Sequence, residues 1–305
     1  MHIEGEKDNK IINLNNRLIY TKIIEYLDIY ITIIEIKSDD NINNYLELDD
    51  NIINELNKRF NLNLNDSDNL EKLKIRWKGI NIDKLDKMRI DNLKELDLSN
   101  NEISDIKVLE KVKFENLEKL DLSHNQILDI KVLEKVKFEN LEKLDLSWNE
   151  ISDIKVLEKV KFENLKELYL CYNKISDIKV LDKVKFENLE ILDLNKNQIL
   201  DIKVLDKVKF IYLKKLNLSE NQITEIKAIK FENLEILDLN TNIILDILAL
   251  ERAKRENLKE LNLDSNKIFD LKVFIKVKLE NLENLDLSFN NISKIKVLEK
   301  VKLKN

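Results

Sequence analysis

The side chains that could do chemistry are one cysteine, two histidines and an acid that recurs at a regular interval. Cys171 and His124 are the candidates for a nucleophile and its base, and His2 is the other histidine. Acids such as Asp105 and Asp129 are candidates for paired acid–base work or for a metal site. The chain has 2 Gly and no Pro, which argues against a glycine-rich phosphate loop. What these groups can do depends on the elements that position them.

Those elements are copies of one repeat. The clearest copy runs from Leu117 to Asn140 and reads LEKLDLSHNQILDIKVLEKVKFEN. Nine clear copies start 24 residues apart, except for one step of 21, at Leu93, Leu117, Leu141, Leu165, Leu189, Leu213, Leu234, Leu258 and Leu282. A fixed period of this size predicts a solenoid, in which each unit completes its core by stacking on its neighbours. The acids recur once per coil, which argues against a single catalytic or metal site.

The pattern shared by the copies, LxxLxLxxNxIxxIxxLxxVxF, resembles the leucine-rich repeat. Its IxxI extension, for example Ile127 and Ile130, is similar to the class found in the protein-phosphatase-1 regulatory subunit and bacterial internalins. The resemblance implies an α/β solenoid, a curved superhelix with a parallel β-sheet on the concave face and short helical or irregular segments on the convex face. It also implies a ladder in which Asn125 and its equivalents bond backbone groups of their own and the next coil.

The chain divides into a non-repeating start and the solenoid. Residues 1–69 are predicted to be an N-terminal capping region, helical in character, and a separate small domain is the alternative. Residues 70–305 are predicted to form the solenoid, with a degenerate repeat at 70–92 and the nine clear repeats at 93–305. No polar cap follows Leu303, so fraying, self-association through the C-terminal repeat and coverage by a partner are all open.

The repeat predicts a place for each side chain. Strand side chains alternate, so Leu120 and Leu122 should face the core while Asp121 and Ser123 face outward. Asp129 stands where the N-cap of a helix through Val136 belongs. The recurring Phe (Phe114, Phe138, Phe162, Phe186, Phe210 and Phe231) is predicted to pack between coils.

A partner is most readily recognised at positions that the repeat leaves free. The residue before the conserved Asn varies most, and His124, Trp148 and Tyr172 occupy it in three consecutive copies, with Tyr169 and Cys171 on the same strand as Tyr172. We predict that His124, Trp148, Tyr169 and Tyr172 bind a partner, the alternative being drift on a tolerant surface. His124 and Cys171 lie two coils apart, about 10 Å by strand spacing, which argues against a catalytic pair.

The predicted function is that of a non-enzymatic scaffold or adaptor that binds a protein on its concave face. A regulatory subunit of an enzyme such as a phosphatase, or an enzyme activity in residues 1–69, are the alternatives. No cofactor or metal is expected. A net charge of -6 gives no general attraction to nucleic acid or anionic membrane. One cysteine and no recognisable signal peptide predict a cytoplasmic or nuclear location.

Overall fold

A computed structural model of the protein describes residues 71–74, 82–87, 92–226, 231–252, 257–277 and 279–300. Within these ranges one short strand opens each coil. The strands, β1 to β10 in chain order, are Lys72–Lys74, Glu95–Asp97, Lys119–Asp121, Lys143–Asp145, Glu167–Tyr169, Ile191–Asp193, Lys215–Asn217, Ile236–Asp238, Glu260–Asn262 and Asn284–Asp286.

The strands form one parallel sheet in chain order, which confirms the solenoid. The register places equivalent residues side by side, so Leu96 pairs with Leu120, and Leu120 with Leu144. All three side chains are fully buried. They belong to a single core that extends from coil to coil, because a three-residue strand buries too little apolar surface to be stable alone.

Short 3₁₀ helices lie on the opposite side of the coils. Within the described residues they are Ile82–Lys87, Lys107–Glu110, Lys131–Glu134, Lys155–Glu158, Lys179–Asp182, Lys203–Asp206, Leu248–Arg252, Lys272–Ile275 and Ile295–Lys300. The predicted helix through Val136 is wrong, since the element ends at Glu134. Asp129 does cap it, but from one position before the N-cap residue Ile130: its Oδ1 accepts the N–H of Lys131 at 2.9 Å.

The ladder asparagines tie each coil to its neighbour. They are Asn101, Asn125, Asn149, Asn173, Asn197, Asn221, Asn242, Asn266 and Asn290. Asn149 Nδ2 donates to the carbonyl oxygens of Leu146 in its own coil and Leu122 in the preceding coil, and its Oδ1 accepts the N–H of Ile127. The ladder is therefore confirmed, but it reaches back to the preceding coil and not, as expected, forward to the next.

The outward strand positions are less open than strand alternation predicted. Ser123 was expected to face outward, yet only 8% of its surface is exposed. The chain turns directly after the strand, and the N–H of Ser123 donates to Asp121 Oδ1 at 2.9 Å. The same bond joins Ser147 to Asp145. The outward carboxylate therefore closes this turn and is itself half-buried.

The recurring phenylalanines are buried between coils as predicted, with Phe138 and Phe162 each 1% exposed. Beside them runs a second asparagine ladder, which the repeat pattern did not predict. Asn140 Nδ2 donates to the Glu115 carbonyl oxygen at 2.9 Å, and Asn164 Nδ2 to that of Glu139 at 2.8 Å. These exposed amides also join consecutive coils.

The 21-residue copy does not interrupt the sheet. β7 and β8 keep the common register, with Leu216 opposite Leu237. Asn242 makes the ladder bonds across this step, to the Leu218 carbonyl oxygen at 3.0 Å and from the Ile223 N–H at 2.9 Å. The missing residues are therefore absorbed outside the sheet.

Some predictions lie outside the described residues. These are the capping region 1–69, most of the degenerate repeat and residues 301–305. At the last described strand, β10, Asn284 and Asp286 are exposed and Leu285 is half-buried. Self-association through this repeat stays a prediction.

Candidate protein-binding surface

The position before each ladder asparagine has a left-handed backbone in all nine clear copies. The φ angles run from 49° to 58° in Asn100, His124, Trp148, Tyr172, Lys196, Glu220, Thr241, Ser265 and Phe289. None of these is glycine, although this conformation disfavours any residue with a Cβ. We call them the pre-ladder column. Its shared backbone presents consecutive side chains in the same direction, one coil apart.

Three aromatic side chains of this column form a continuous ring stack of His124, Trp148 and Tyr172. The ring centroids of His124 and Trp148 are 4.9 Å apart with planes inclined by 15°, and those of Trp148 and Tyr172 are 3.6 Å apart at 11°. Neighbouring strands lie about 4.8 Å apart, close to the separation of stacked rings. Identical backbone in successive coils therefore stacks these rings.

The stack continues into charged side chains. Lys196 Nζ lies over the Tyr172 ring, 4.6 Å from its centroid, and forms an ion pair with Glu220 at 3.1 Å. The rings are thus covered on their faces by one another and by Lys196, while 44% of the Trp148 surface stays exposed. A partner would meet a row of ordered ring edges.

Tyr169 and Cys171 lie beside the stack, and both are half-buried. Tyr169 Oη donates to Glu167 Oε2 at 3.1 Å, and Lys143 Nζ lies 4.7 Å from its ring centroid. Burial, with the nearby Glu167 carboxylate, raises the pKa of the Tyr169 hydroxyl. Burial also raises the pKa of the Cys171 thiol, to about 11, which makes it a poor nucleophile at neutral pH.

The structure therefore brings together the four residues predicted to bind a partner. His124, Trp148 and Tyr172 share one column, and Tyr169 stands one turn away on the strand that leads into it. We call this surface, with the outward side chains of β1–β10 around it, the sheet face. What the sequence analysis missed is the left-handed backbone that positions the rings. The residues of this column vary and none is glycine, so the sequence does not indicate a left-handed backbone there.

Other surface features of the described residues lie outside the sheet face. Leu245 and Phe269 occupy equivalent positions in neighbouring copies, are more than half exposed, and were not singled out from the sequence. A groove of about 530 Å³ is lined by Lys155, Asp177 and Lys183 among others, and the lysines there are balanced by acids, as in the Lys183–Glu158 pair at 3.4 Å. Neither feature combines ordered aromatic rings with polar groups.

Within the described ranges, no group of three or more His, Cys, Asp or Glu side chains is arranged to hold a metal ion. Across those same ranges, no helix has the length and apolar character needed to cross a membrane.

Comparison with protein-family models places the repeats in a known family. The model described as leucine-rich repeats in two copies matches residues 91–135, 115–159, 139–183, 163–207 and 213–252, and the single-repeat model matches 281–299. The chain belongs to the leucine-rich repeat family. Membership suggests a protein–protein interaction module, and it fits the Leu, Ile and Asn positions of the fold described above.

Solved structures share the fold. An internalin (inlF) from Listeria monocytogenes is 28% identical with a TM-score of 0.57, over 76% of this leucine-rich repeat chain and 72% of the internalin. The plant peptide hormone receptor RGFR1 in complex with RGF2 is 18% identical with a TM-score of 0.56, over 73% of this chain and 40% of the receptor. A plant ice-binding protein is 17% identical with a TM-score of 0.55, over 72% of this chain and 73% of the ice-binding protein. A search of curated proteins finds no match.

Proposed function

We propose that this leucine-rich repeat chain is a non-enzymatic interaction scaffold that binds a protein partner on its sheet face, centred on His124, Trp148, Tyr169 and Tyr172. The observation that carries the proposal is the Trp148–Tyr172 stack, with ring centroids 3.6 Å apart. Trp and Tyr are the residue types most enriched at the energetic centres of protein interfaces.

Order in the free protein supports this choice. The rings are held by their neighbours, by Lys196 and by a backbone conformation common to the whole column. Side chains that are already ordered lose little conformational entropy when a partner binds. The exposed Leu245 and Phe269 have no comparable support from stacked neighbours among the described residues.

Two narrower versions are separated by the identity of the partner. A phosphatase or another enzyme among the bound proteins would favour a regulatory subunit, whereas a structural or signalling protein would favour an adaptor. An enzyme activity in residues 1–69 would require that segment to fold and show turnover by itself. The cytoplasmic or nuclear location stays a prediction, to be tested by fractionation of the source cells.

The direct test is an unbiased pull-down with the wild type and with Trp148→Ala/Tyr172→Ala. The matched control is Thr241→Ala/Ser265→Ala, which alters the same column in other coils with the same backbone conformation. We expect the ring double variant to lose the specific partners and the control to keep them, with circular dichroism unchanged in both. Retention of every partner by the ring variant would contradict the proposal.

A further inference from the structure

The chemistry of the partner is indicated by carboxylates that flank the rings. The third position of each strand forms a column on the sheet face in which Asp121 pairs in register with Asp145, Asp145 with Tyr169, and Tyr169 with Asp193. Tyr169 thus takes the place of one acid in a row of acids. Its ring stands between two half-buried carboxylates, one coil away on either side.

The carboxylates beside Tyr169 have lysines in their neighbourhood, Lys143 near Asp145 and Lys215 near Asp193, but these lysines do not form close ion pairs with them. Asp97, near the start of the column, is paired with Lys74 at 2.8 Å. Among the described residues no lysine or arginine forms an ion pair with Asp121, Asp145 or Asp193. Burial raises the pKa of Asp145 and of Asp193, and the neighbouring Asp121 adds to the rise at Asp145. Like charges opposite each other in a sheet are unfavourable, so a cation placed over this row would be stabilised.

The rings beside the row already attract cations within the molecule. Lys143 lies over Tyr169 and Lys196 over Tyr172, each with Nζ within 5 Å of the ring centroid. An ammonium or guanidinium group gains from the face of an aromatic ring and from a nearby carboxylate at the same time. The sheet face between Asp145 and Asp193 combines both.

We propose that the occupant of the sheet face is a basic, extended segment of a protein, with a lysine or arginine side chain bound between Asp145 and Asp193, beside the Tyr169 ring that Lys143 already contacts. This rests on the proposed function and adds the partner's charge to it. Apolar or aromatic residues of the same segment meet the exposed edges of Trp148 and Tyr172. Charge complementarity selects this occupant over an acidic or a purely apolar one.

The test uses a random twelve-residue phage-display peptide library, selected on the full-length protein and on an unrelated protein. Enriched peptides are synthesised and titrated against wild type, Asp145→Asn/Asp193→Asn and Trp148→Ala/Tyr172→Ala. Asparagine is a conservative choice, because Asn217 in the same column accepts the Ser219 N–H at 3.1 Å as the aspartates do in their coils. Asp286→Asn, in the same column at β10, is the matched control.

We expect enriched peptides to be basic and to bind about tenfold or more weakly to Asp145→Asn/Asp193→Asn in 0.15 M salt, with no change for Asp286→Asn. Enrichment of acidic or neutral peptides, equal affinity for the aspartate variant, or no enrichment over the unrelated protein would overturn the basic occupant. The proposed function is judged separately. It survives if the ring variant loses its protein partners, and fails if that variant keeps them.

Discussion

The ladder residue Asn149 lies one position after Trp148, and the two side chains have separate tasks. The Asn149 amide is buried and bonds the backbone of its own and the preceding coil. The Trp148 indole is exposed and stacks on Tyr172. One turn of chain therefore carries both a buried coil-to-coil link and part of the candidate binding surface. Changes at these neighbouring positions should affect different properties.

We expect Asn149→Ala to lower the free energy of unfolding by about 1–3 kcal/mol, because the buried Ile127 N–H loses its acceptor and the Leu122 carbonyl oxygen keeps only the bond from Asn125. The control is Asn164→Ala in the exposed outer ladder, where water can replace the one bond to Glu139. Urea unfolding of both variants makes the comparison. Equal losses would show that burial of the ladder amide does not determine its contribution.

Backbone conformation in the pre-ladder column can be tested at Thr241, an exposed β-branched residue with φ of 51°. Thr241→Gly should raise the free energy of unfolding by about 0.5–1 kcal/mol, since glycine relieves the left-handed penalty but gains freedom in the unfolded chain. Thr224→Gly is the control, because Thr224 is exposed without a positive φ, and it should be destabilising. If both glycine variants lost the same free energy of unfolding, the left-handed backbone at Thr241 would not be strained.

Two acids of the sheet face, Asp145 and Asp286, should change the stability of the protein in opposite directions as the pH varies. Burial holds the pKa of Asp145 above its ordinary value, so the folded protein binds that proton more tightly and stability falls as pH rises through this range. The free energy of unfolding of Asp145→Asn should therefore exceed that of the wild type by less than about 1 kcal/mol at neutral pH. This difference should vanish in acid. Urea unfolding from pH 3 to pH 8 measures it.

At Asp286 the pH dependence of stability is expected to have the opposite sign. Hydrogen bonds from the Ser288 side chain and backbone lower the pKa of Asp286, so its contribution is present above the unfolded-state pKa and is lost as pH falls through the folded-state value. Asp286→Asn should be slightly less stable than wild type at neutral pH and equal to it in acid. The same sign for both variants would contradict the account of the column.

Cys171 is the single cysteine, which allows its reactivity to be measured in the intact protein. With a pKa raised from 9.0 to about 11, its thiolate fraction at pH 8 is about a hundredfold lower than that of an unperturbed thiol. Alkylation by iodoacetamide should be correspondingly slow and should still be accelerating at pH 10. A rate that levels off near pH 9 would show that the thiol is not desolvated.

Most of the architecture was predictable from the sequence because the repeat enforces it. Leu120, Leu122 and Phe138 are apolar in a fixed phase, so their burial follows from periodicity. The sequence could not predict whether Asn149 bonds the preceding or the following coil, because both neighbouring coils have the same repeat sequence pattern. Ser123 was misplaced because strand alternation ends where the Asp121 carboxylate closes the turn.

The residues of the candidate surface could be selected from the sequence, but their geometry could not be predicted, and their role in binding stays a prediction. His124, Trp148 and Tyr172 were selected because they share a variable position, and the structure stacks them. The half-buried states of Tyr169 and Asp145 depend on how neighbouring coils pack against each other, and residue spacing alone does not contain that information.

Site-specific photo-crosslinking tests the central claim most directly. The crosslinking amino acid p-benzoylphenylalanine is placed at Tyr172 on the sheet face, or at the exposed Phe269 in the segment between β9 and the 3₁₀ helix Lys272–Ile275. Each protein is irradiated in an extract of its source cells. We predict discrete protein adducts from Tyr172 that disappear with an excess of unlabelled wild type, and none from Phe269. Competed adducts from Phe269 with none from Tyr172 would place the partner outside the sheet face and contradict the proposal.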